Sequence, residues 1–561
     1  MNNLQTLILA TLLAMPLKGT AQTEALPNYK GLSDGNPISS NVFCADPTAL
    51  EYNGRLYVYG SNDSQQFIAN KKKGENGYGA IKSIVVFSTD DLLNWTFHGT
   101  IDVGKLCSYC GNSWAPSVTW RTNAQGKDEF FLYFANGASN VGVLKADTPI
   151  GPWKSPRTSP LVNHGMSGVD PCNWLFDPGV VVTDDGEAWI AFGGGDPNNQ
   201  GNDLQPNNAR IAKLKSSMTA IDGSAVKLPA PYHFEASELN IIGGKFVYTY
   251  CSSWRGRNDW SKYQKEKGIT VGAPGTCTMC YMVTDNPKDP NSWEYRDAYG
   301  PHPGTSDNNH SHLQKFQGTY YHIYHSGALL QAMKNGKGVD SSARMYRSIC
   351  INKASVNEET VKIGKVTLNN TGATNIKNLD PYQLQQAETM ANSGGVNYED
   401  FTNISKPTSI SGLGNDASRN LQVKMAPGAW TMMRKVDFGN DGAQSFTIRL
   451  KGTGTVELRW GSKAAAKASL DFSTTAYKDF TIPVDPTQFK GVRNLYIVFP
   501  NATNVYFDTW QFWREDMTAV KTVNKESKAD GRIYDLSGRR IDKDAKRQGI
   551  YIKNGKKVIV K

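Results

Sequence analysis

The sequence predicts an all-β protein, a five-bladed β-propeller followed by a β-sandwich of jelly-roll type. Short β-rich runs separated by Gly or Asn-Gly turns recur from about residue 36 to 375. Five of them start at intervals of roughly 55 to 80 residues, enough chain for a four-stranded blade each. Residues 382–515 then alternate apolar and polar positions without a helical period, the pattern of a sandwich. Composition agrees: 11% aromatic, only 20% charged and 53 glycines suit strands and turns better than helical bundles.

Taken in order, the chain opens with an apolar run from Leu7 to Leu17 and the small-residue stretch Gly19-Thr20-Ala21. This reads as a signal peptide over 1–21, although its first residues carry no Lys or Arg, and the run is too short to span a bilayer. The five propeller runs are Tyr52–Tyr59, Phe130–Phe134, Ala188–Phe192, Lys245–Tyr250 and Thr319–Tyr324. A boundary falls near Asn378-Leu-Asp-Pro381. Beyond it, Ser445–Leu450 and Asn494–Phe499 are sandwich strands by their alternation. Residues 516–561 form a basic tail with hairpin-like runs, Arg532–Arg540 and Gly549–Lys556, in which Asn554-Gly555 is a strong turn signal.

The net charge of +10 invites a nucleic-acid partner, but the tail alone carries 13 Lys and Arg against 6 Asp and Glu. The rest is nearly balanced and lacks a basic-aromatic binding motif, so no nucleic acid is expected. No later segment is apolar enough to cross a membrane. Two C-x-x-C pairs, Cys107/Cys110 and Cys277/Cys280, lie too far apart for a zinc ribbon and lack a redox context. Buried thiols or structural disulfides are expected instead.

The chemistry-bearing candidates are acids set among apolar neighbours: Val42-Phe-Cys-Ala-Asp-Pro47, Trp174-Leu-Phe-Asp-Pro-Gly-Val180 and Tyr232-His-Phe-Glu-Ala-Ser237. Burial there raises a carboxyl pKa, and glycosidic hydrolysis needs one protonated and one ionised carboxyl group. Asp-Pro alone is weak, because it occurs seven times and is common in surface turns. Together with Ser88–Trp95, Ser113–Ser117, Ala146–Trp153 and Asn308–His312, however, these segments form an ordered set over residues 36–375. That set resembles glycoside hydrolase family 43, five-bladed propellers that invert configuration at pentose residues of hemicellulose.

The resemblance implies that Asp46 is the general base, Glu235 the general acid, and Asp177 the residue that orients Glu235 and keeps its pKa high. Glu238 is the nearest rival to Glu235, and strand alternation puts the two on opposite faces. His310 matches a histidine at the propeller centre linked to calcium or water, with a hydrogen-bonded core histidine as the alternative. Trp114 and Trp174 are candidate sugar-stacking walls or core, and Arg347 a candidate substrate contact.

Gln386-Ala-Glu-Thr-Met390 and Val505–Trp510 resemble a family 6 carbohydrate-binding module. That implies a structural calcium held partly by Glu388 and Asp508, with Tyr477 a candidate stacking platform. No cofactor is expected for catalysis. The hairpins of the tail look like C-terminal sorting segments of secreted Bacteroidetes proteins. The expected function is a secreted or cell-surface inverting hydrolase of plant cell-wall polysaccharide, foremost an α-L-arabinofuranosidase on arabinoxylan. A β-xylosidase or endo-xylanase is the near alternative. A non-catalytic carbohydrate-binding protein is the distant one, and the complete set of three acids speaks against it.

Overall fold

The computed structural model describes residues 24–195, 204–305, 308–404 and 420–515, together with the backbone of four short strands in the tail. The expected signal peptide, the Asn554-Gly555 turn and most of Arg532–Arg540 lie outside the described residues.

Five antiparallel sheets make the propeller. Blade I is Ala45–Tyr52, Arg55–Ser61, Ile84–Thr89 and Trp95–Ile101; blade II is Trp114–Thr122, Asp128–Asn136 and Asn140–Ala146. Blade III is Gly179–Val182, Ala188–Phe192, Arg210–Leu214 and Ile221–Lys227. Blade IV is His233–Ile242, Lys245–Ser252, Met279–Thr284 and Glu294–Gly300, and blade V is Ser311–Phe316, Thr319–Ser326 and Ser348–Lys353. Each aromatic-rich run read from the sequence supplies its blade's second strand. That strand is buried on both faces, which is why its apolar signal is strong.

The first strand of blades I, II and IV carries a bulge. Beside it the backbone turns left-handed, at Asp46 (φ 49°), Ala115 (φ 38°) and Ala236 (φ 62°). Asp177, just before the first strand of blade III, does the same (φ 46°). Such conformations in non-glycine residues cost about 1–3 kcal/mol each and persist only where the surroundings impose them. Side chains stitch neighbouring blades at these points. Thr48 Oγ1 accepts from the Val118 N–H at 3.2 Å, Ser117 Oγ from the Val180 N–H at 3.0 Å, and Asp177 Oδ2 from the Ala236 N–H at 2.8 Å.

The N-terminal segment completes blade V. The Ile38 N–H donates to Ile349 O, and Asn36 both donates to Ile351 O and accepts from its N–H.

The C-terminal module is an eight-stranded antiparallel sheet around Val492–Trp513, a 22-residue strand that pairs with Ala429–Asp437, Ser445–Arg459 and Leu421–Met425. It encloses its own apolar core, including Phe446, Ile448, Phe507 and Phe512, which is continuous with that of blades I and V. Thr389–Met390 adds to the outer edge of blade I opposite Trp95–Thr96. The propeller and the module therefore share a hydrogen-bonded seam.

Helices are short and local, Asp63–Ala69, Trp260–Lys267 and Ala328–Asn335 among them, and none in the described residues could cross a membrane. The tail, taken by itself, pairs Ile533–Tyr534 with Arg540–Ile541 and Gly549–Lys553, and the latter with Lys556–Val560.

Candidate active site

A cavity of about 480 Å³ is lined by Asp46, Asp177, Glu235, His310, Arg347 and an aromatic collar. Blades I, III and IV each deliver one acid to it, from the innermost strand or the residues leading into it. The left-handed turns aim these side chains inward. The sequence expectation that Asp46, Asp177 and Glu235 converge is what the geometry displays.

Asp46 is almost fully committed. Arg347 Nη1 donates to Oδ1 at 2.7 Å, and Ser61 Oγ donates to Oδ2 at 2.7 Å. Ser61 Oγ also accepts from the Ala115 N–H, which fixes its hydroxyl direction. The Asp46 backbone N–H donates to His325 Nδ1 at 3.1 Å, and Asp46 Oδ1 lies 3.3 Å from the same nitrogen. His325 Nε2 lies 3.2 Å from Asn308 O and 3.0 Å from its Oδ1. Burial by itself would push the Asp46 carboxyl up, but the Arg347 guanidinium holds it well below the usual carboxylate range.

Glu235 is the opposite case. Burial first, then the charges of Asp177 and Asp46, push its carboxyl well above the ordinary range, and its Oε1 has no hydrogen-bond partner. Asp177 is pushed up to about 8 by burial and by Asp46. By accepting the Ala236 N–H, it pins the backbone next to Glu235.

Glu238 differs from Glu235 in depth. It is fully buried, does not line the cavity, and accepts from or shares a proton with His312 Nδ1 at 3.0 Å. Of the two glutamates only Glu235 lines the cavity, as the strand argument expects, although the strand between them is not regular. The bulged register pairs Glu235 with Cys251 and Glu238 with Thr249, two residues apart on the partner strand.

Arg347 lines the cavity and is held by two acids. Its Nε and Nη2 donate to Asp63 at 2.9 Å each, its Nη1 holds Asp46, and its guanidinium sits 5.1 Å from the Tyr78 ring centroid. The structure thus shows Arg347 as a clamp on Asp46 in the wall of the cavity. Trp114 and Trp174 both line the cavity. Trp114 Nε1 donates to Tyr78 O, whereas Trp174 is 37% exposed at the mouth. Asp63, Ser61, His325, Tyr78, Phe234 and Trp254 were not singled out from the sequence. Asp63 reads there as an ordinary first-turn acid of its helix.

His310 Nδ1 lies 3.9 Å from Asp46 Oδ1 and 3.7 Å from Asp177 Oδ2, and burial lowers its pKa to about 4. It is therefore a neutral imidazole at neutral pH. These donors do not compose a calcium shell. One is a nitrogen, one carboxylate is already held by Arg347, and calcium takes six to eight oxygens. Among the described residues no group of three or more His, Cys, Asp or Glu is arranged to hold a metal. All eight cysteines are free thiols, buried except for half-buried Cys110.

In the module, Glu388 is buried with Oε2 unpartnered, and the nearby Asp508 charge helps burial push its carboxyl up to about 8. Asp508 accepts from Asn420 Nδ2 and Arg449 Nε. An orphaned buried carboxylate oxygen beside a second carboxylate fits a hard cation. Tyr477 is half-buried, with Arg449 and Lys451 at 5.4 and 5.3 Å from its ring centroid, so cations occupy the ring that was expected to stack on sugar.

Residues 35–359 match the profile of glycosyl hydrolases family 43. The chain is 35% identical over 509 residues to an arabinoxylan arabinofuranohydrolase of Paenibacillus polymyxa, covering 87% of this chain and 75% of that one. It is 34% identical to another from Bacillus subtilis (strain 168), covering 86% and 93%. The crystal structure of a family 43 arabinoxylan arabinofuranohydrolase from Bacillus subtilis in complex with cellotetraose superposes with a TM-score of 0.76 at 31% identity, over 88% of this chain and 99% of that one. With the family profile spanning the whole propeller and these relatives reaching across the module as well, the chain belongs to glycosyl hydrolases family 43 and is a glycoside hydrolase.

Proposed function

We propose that the protein is an inverting α-L-arabinofuranosidase that removes arabinose from arabinoxylan. The observation that carries the reading is the divergence of two carboxyl groups within one cavity. Asp46 is held ionised by Arg347 while Glu235 is held protonated by burial and by its acidic neighbours. Asp46 then takes a proton from the attacking water as general base. Glu235 gives its proton to the departing glycosidic oxygen. Asp177 positions Glu235 through the Ala236 backbone and resists its ionisation. His310, neutral and within 4 Å of both aspartates, supports their geometry without adding charge.

Arabinose is favoured over xylose because the arabinofuranohydrolase relatives match across the propeller and module together. The relatives named xylosidase/arabinosidase from Bacteroides ovatus and β-xylosidase from Xylanibacter ruminicola each match 50% of the chain. Product analysis on arabinoxylan tests the reading. Free arabinose is expected, released first as the inverted anomer by NMR. Xylose or xylo-oligosaccharides would replace it with a xylosidase or a xylanase, and binding without turnover would make the propeller a lectin.

The C-terminal module is read as a family 6 carbohydrate-binding module with a structural calcium on Glu388 and Asp508. Chelation is expected to lower the module's melting temperature, and calcium to restore it. Export by the N-terminal segment and sorting by the tail complete the reading. Cell fractionation with and without residues 516–561 checks both.

A further inference from the structure

The insertion between the second and third strands of blade IV, residues 253–278, carries Trp254 to the cavity mouth. It has an unusual internal staple. Arg257 donates Nε to Pro274 O at 2.8 Å, Nη1 to Arg255 O at 2.5 Å and to Ser253 Oγ at 3.2 Å, and Nη2 to Ser253 O and Gly275 O at 2.7 Å each. Its guanidinium also lies 4.8 Å from the Tyr232 ring centroid. The hydrogen-bond acceptors are carbonyls and a hydroxyl at both ends of the insertion, so the planar fork ties its departing and returning strands together. Lysine, a point donor, cannot reproduce that fork.

Trp254 is 40% exposed and lines the same cavity as the three acids, of which Asp46 and Asp177 are buried and Glu235 half-buried. The His302 ring stands against it at 5.2 Å and 78°. A sugar whose glycosidic bond lies between Asp46 and Glu235 fills the buried end of the cavity. What is attached to the leaving oxygen must then lie at the mouth, where Trp254 and Trp174 stand.

We propose that Trp254 is a specificity-determining residue that contacts the polysaccharide backbone on the leaving-group side, and that Arg257 is the positioning residue that holds it there. This rests on the arabinofuranosidase reading. Arg257 touches no reacting atom and acts through the insertion alone.

The test is a ratio: kcat/KM on arabinoxylan divided by kcat/KM on an aryl arabinofuranoside, whose small leaving group reaches less of the mouth. Trp254→Ala is expected to lower this ratio about tenfold, the scale of one lost aromatic contact. The loss should fall mainly on KM for the polymer. Arg257→Met should lower it in the same sense, and Arg257→Lys should fail to rescue it. A merely structural role would lower kcat on both substrates together and leave the ratio unchanged. That result, for Trp254→Ala, overturns the proposal even if Arg257→Met does not fold. Should the wild type cleave aryl xylosides instead, the arabinose reading fails. The same ratio taken with xylo-oligosaccharide against aryl xyloside then still decides the role of Trp254.

Discussion

The propeller cavity and the Tyr477 patch of the C-terminal module are both assembled from aromatic and charged side chains on β-strands, yet they treat their rings oppositely. At the cavity mouth Trp174 and Trp254 meet other rings at steep angles, Phe176, Phe234 and His302 among the described neighbours. The cavity's cation, Arg347, is drawn inward onto Asp63 and Asp46 and lies over the Tyr78 ring rather than over either of these tryptophans. On the module, Arg449 and Lys451 lie against Tyr477, and Arg449 is anchored by Asp479 and Asp508. A sugar face that stacks on Tyr477 would first have to displace those cations. Where the charges go therefore decides whether an aromatic residue is free for a ligand.

The largest expected effect lies with the acids. Glu235→Gln keeps the shape and removes the transferable proton, so kcat should fall roughly 10²–10⁴-fold, the usual weight of a general acid. An aryl substrate with a good leaving group should be spared part of that loss. If Glu238→Gln instead gave the larger loss, the depth distinction between the two glutamates would be wrong.

Next is the clamp. Arg347→Lys keeps the charge but cannot bridge Asp63 and Asp46 together. It should lower kcat on the order of tenfold or more and weaken the pull on Asp46. The Asp46 carboxyl then rises toward its ordinary range, and the acidic limb of the pH profile moves to higher pH. An unmoved limb would show that Arg347 does not govern Asp46.

These residues mark where sequence reading stopped. The three acids stood out because each interrupts an apolar run, and the second strands stood out because burial on both faces demands continuous β-branched and aromatic residues. The clamp did not. Asp63 is separated from Arg347 by 284 positions, and beside Asn62 it has the look of an ordinary helix start. Trp254 was hidden for a similar reason, since its insertion is polar and held by backbone carbonyls that leave no side-chain pattern. The positional rule visible in hindsight is X-Pro near the start of blades I to III, at Asp46-Pro47, Ala115-Pro116 and Asp177-Pro178. Each first residue is left-handed. Counting Asp-Pro alone mixed two of these with surface turns.

Asp177 tests the electrostatics by stability as well as rate. Its native pKa of about 8 stands above the ordinary 3.8, so the folded chain keeps a proton that the unfolded chain releases between those values. More protons on the native state means stability falls as pH rises through that window. Asp177→Asn removes the penalty while its amide oxygen still accepts the Ala236 N–H. At pH 8 the variant should be more stable than the wild type by at least about 1 kcal/mol, and the gain should vanish near pH 4. Activity of the variant should fall below that of the wild type as pH rises through about 8, where the ionised Asp177 holds the Glu235 proton and an amide cannot. A pH-independent difference in melting temperature would remove the coupling.

The smallest effect returns to the module. Tyr477→Ala should change arabinoxylan affinity less than about twofold, because a ring already engaged by two cations has little left to give a sugar. Removing the cations is the sharper arm. Lys451 also sits 4.8 Å from the Tyr506 ring centroid, so Lys451→Ala uncovers two tyrosines at once. If the module's weak use of Tyr477 comes from occupation of its ring, this variant should bind polysaccharide more tightly than wild type in affinity electrophoresis. Adding Tyr477→Ala should then cancel the gain. Tight binding in the wild type that Tyr477→Ala abolishes would mean instead that sugar displaces the cations readily, and the contrast between the two regions would collapse to one of depth alone.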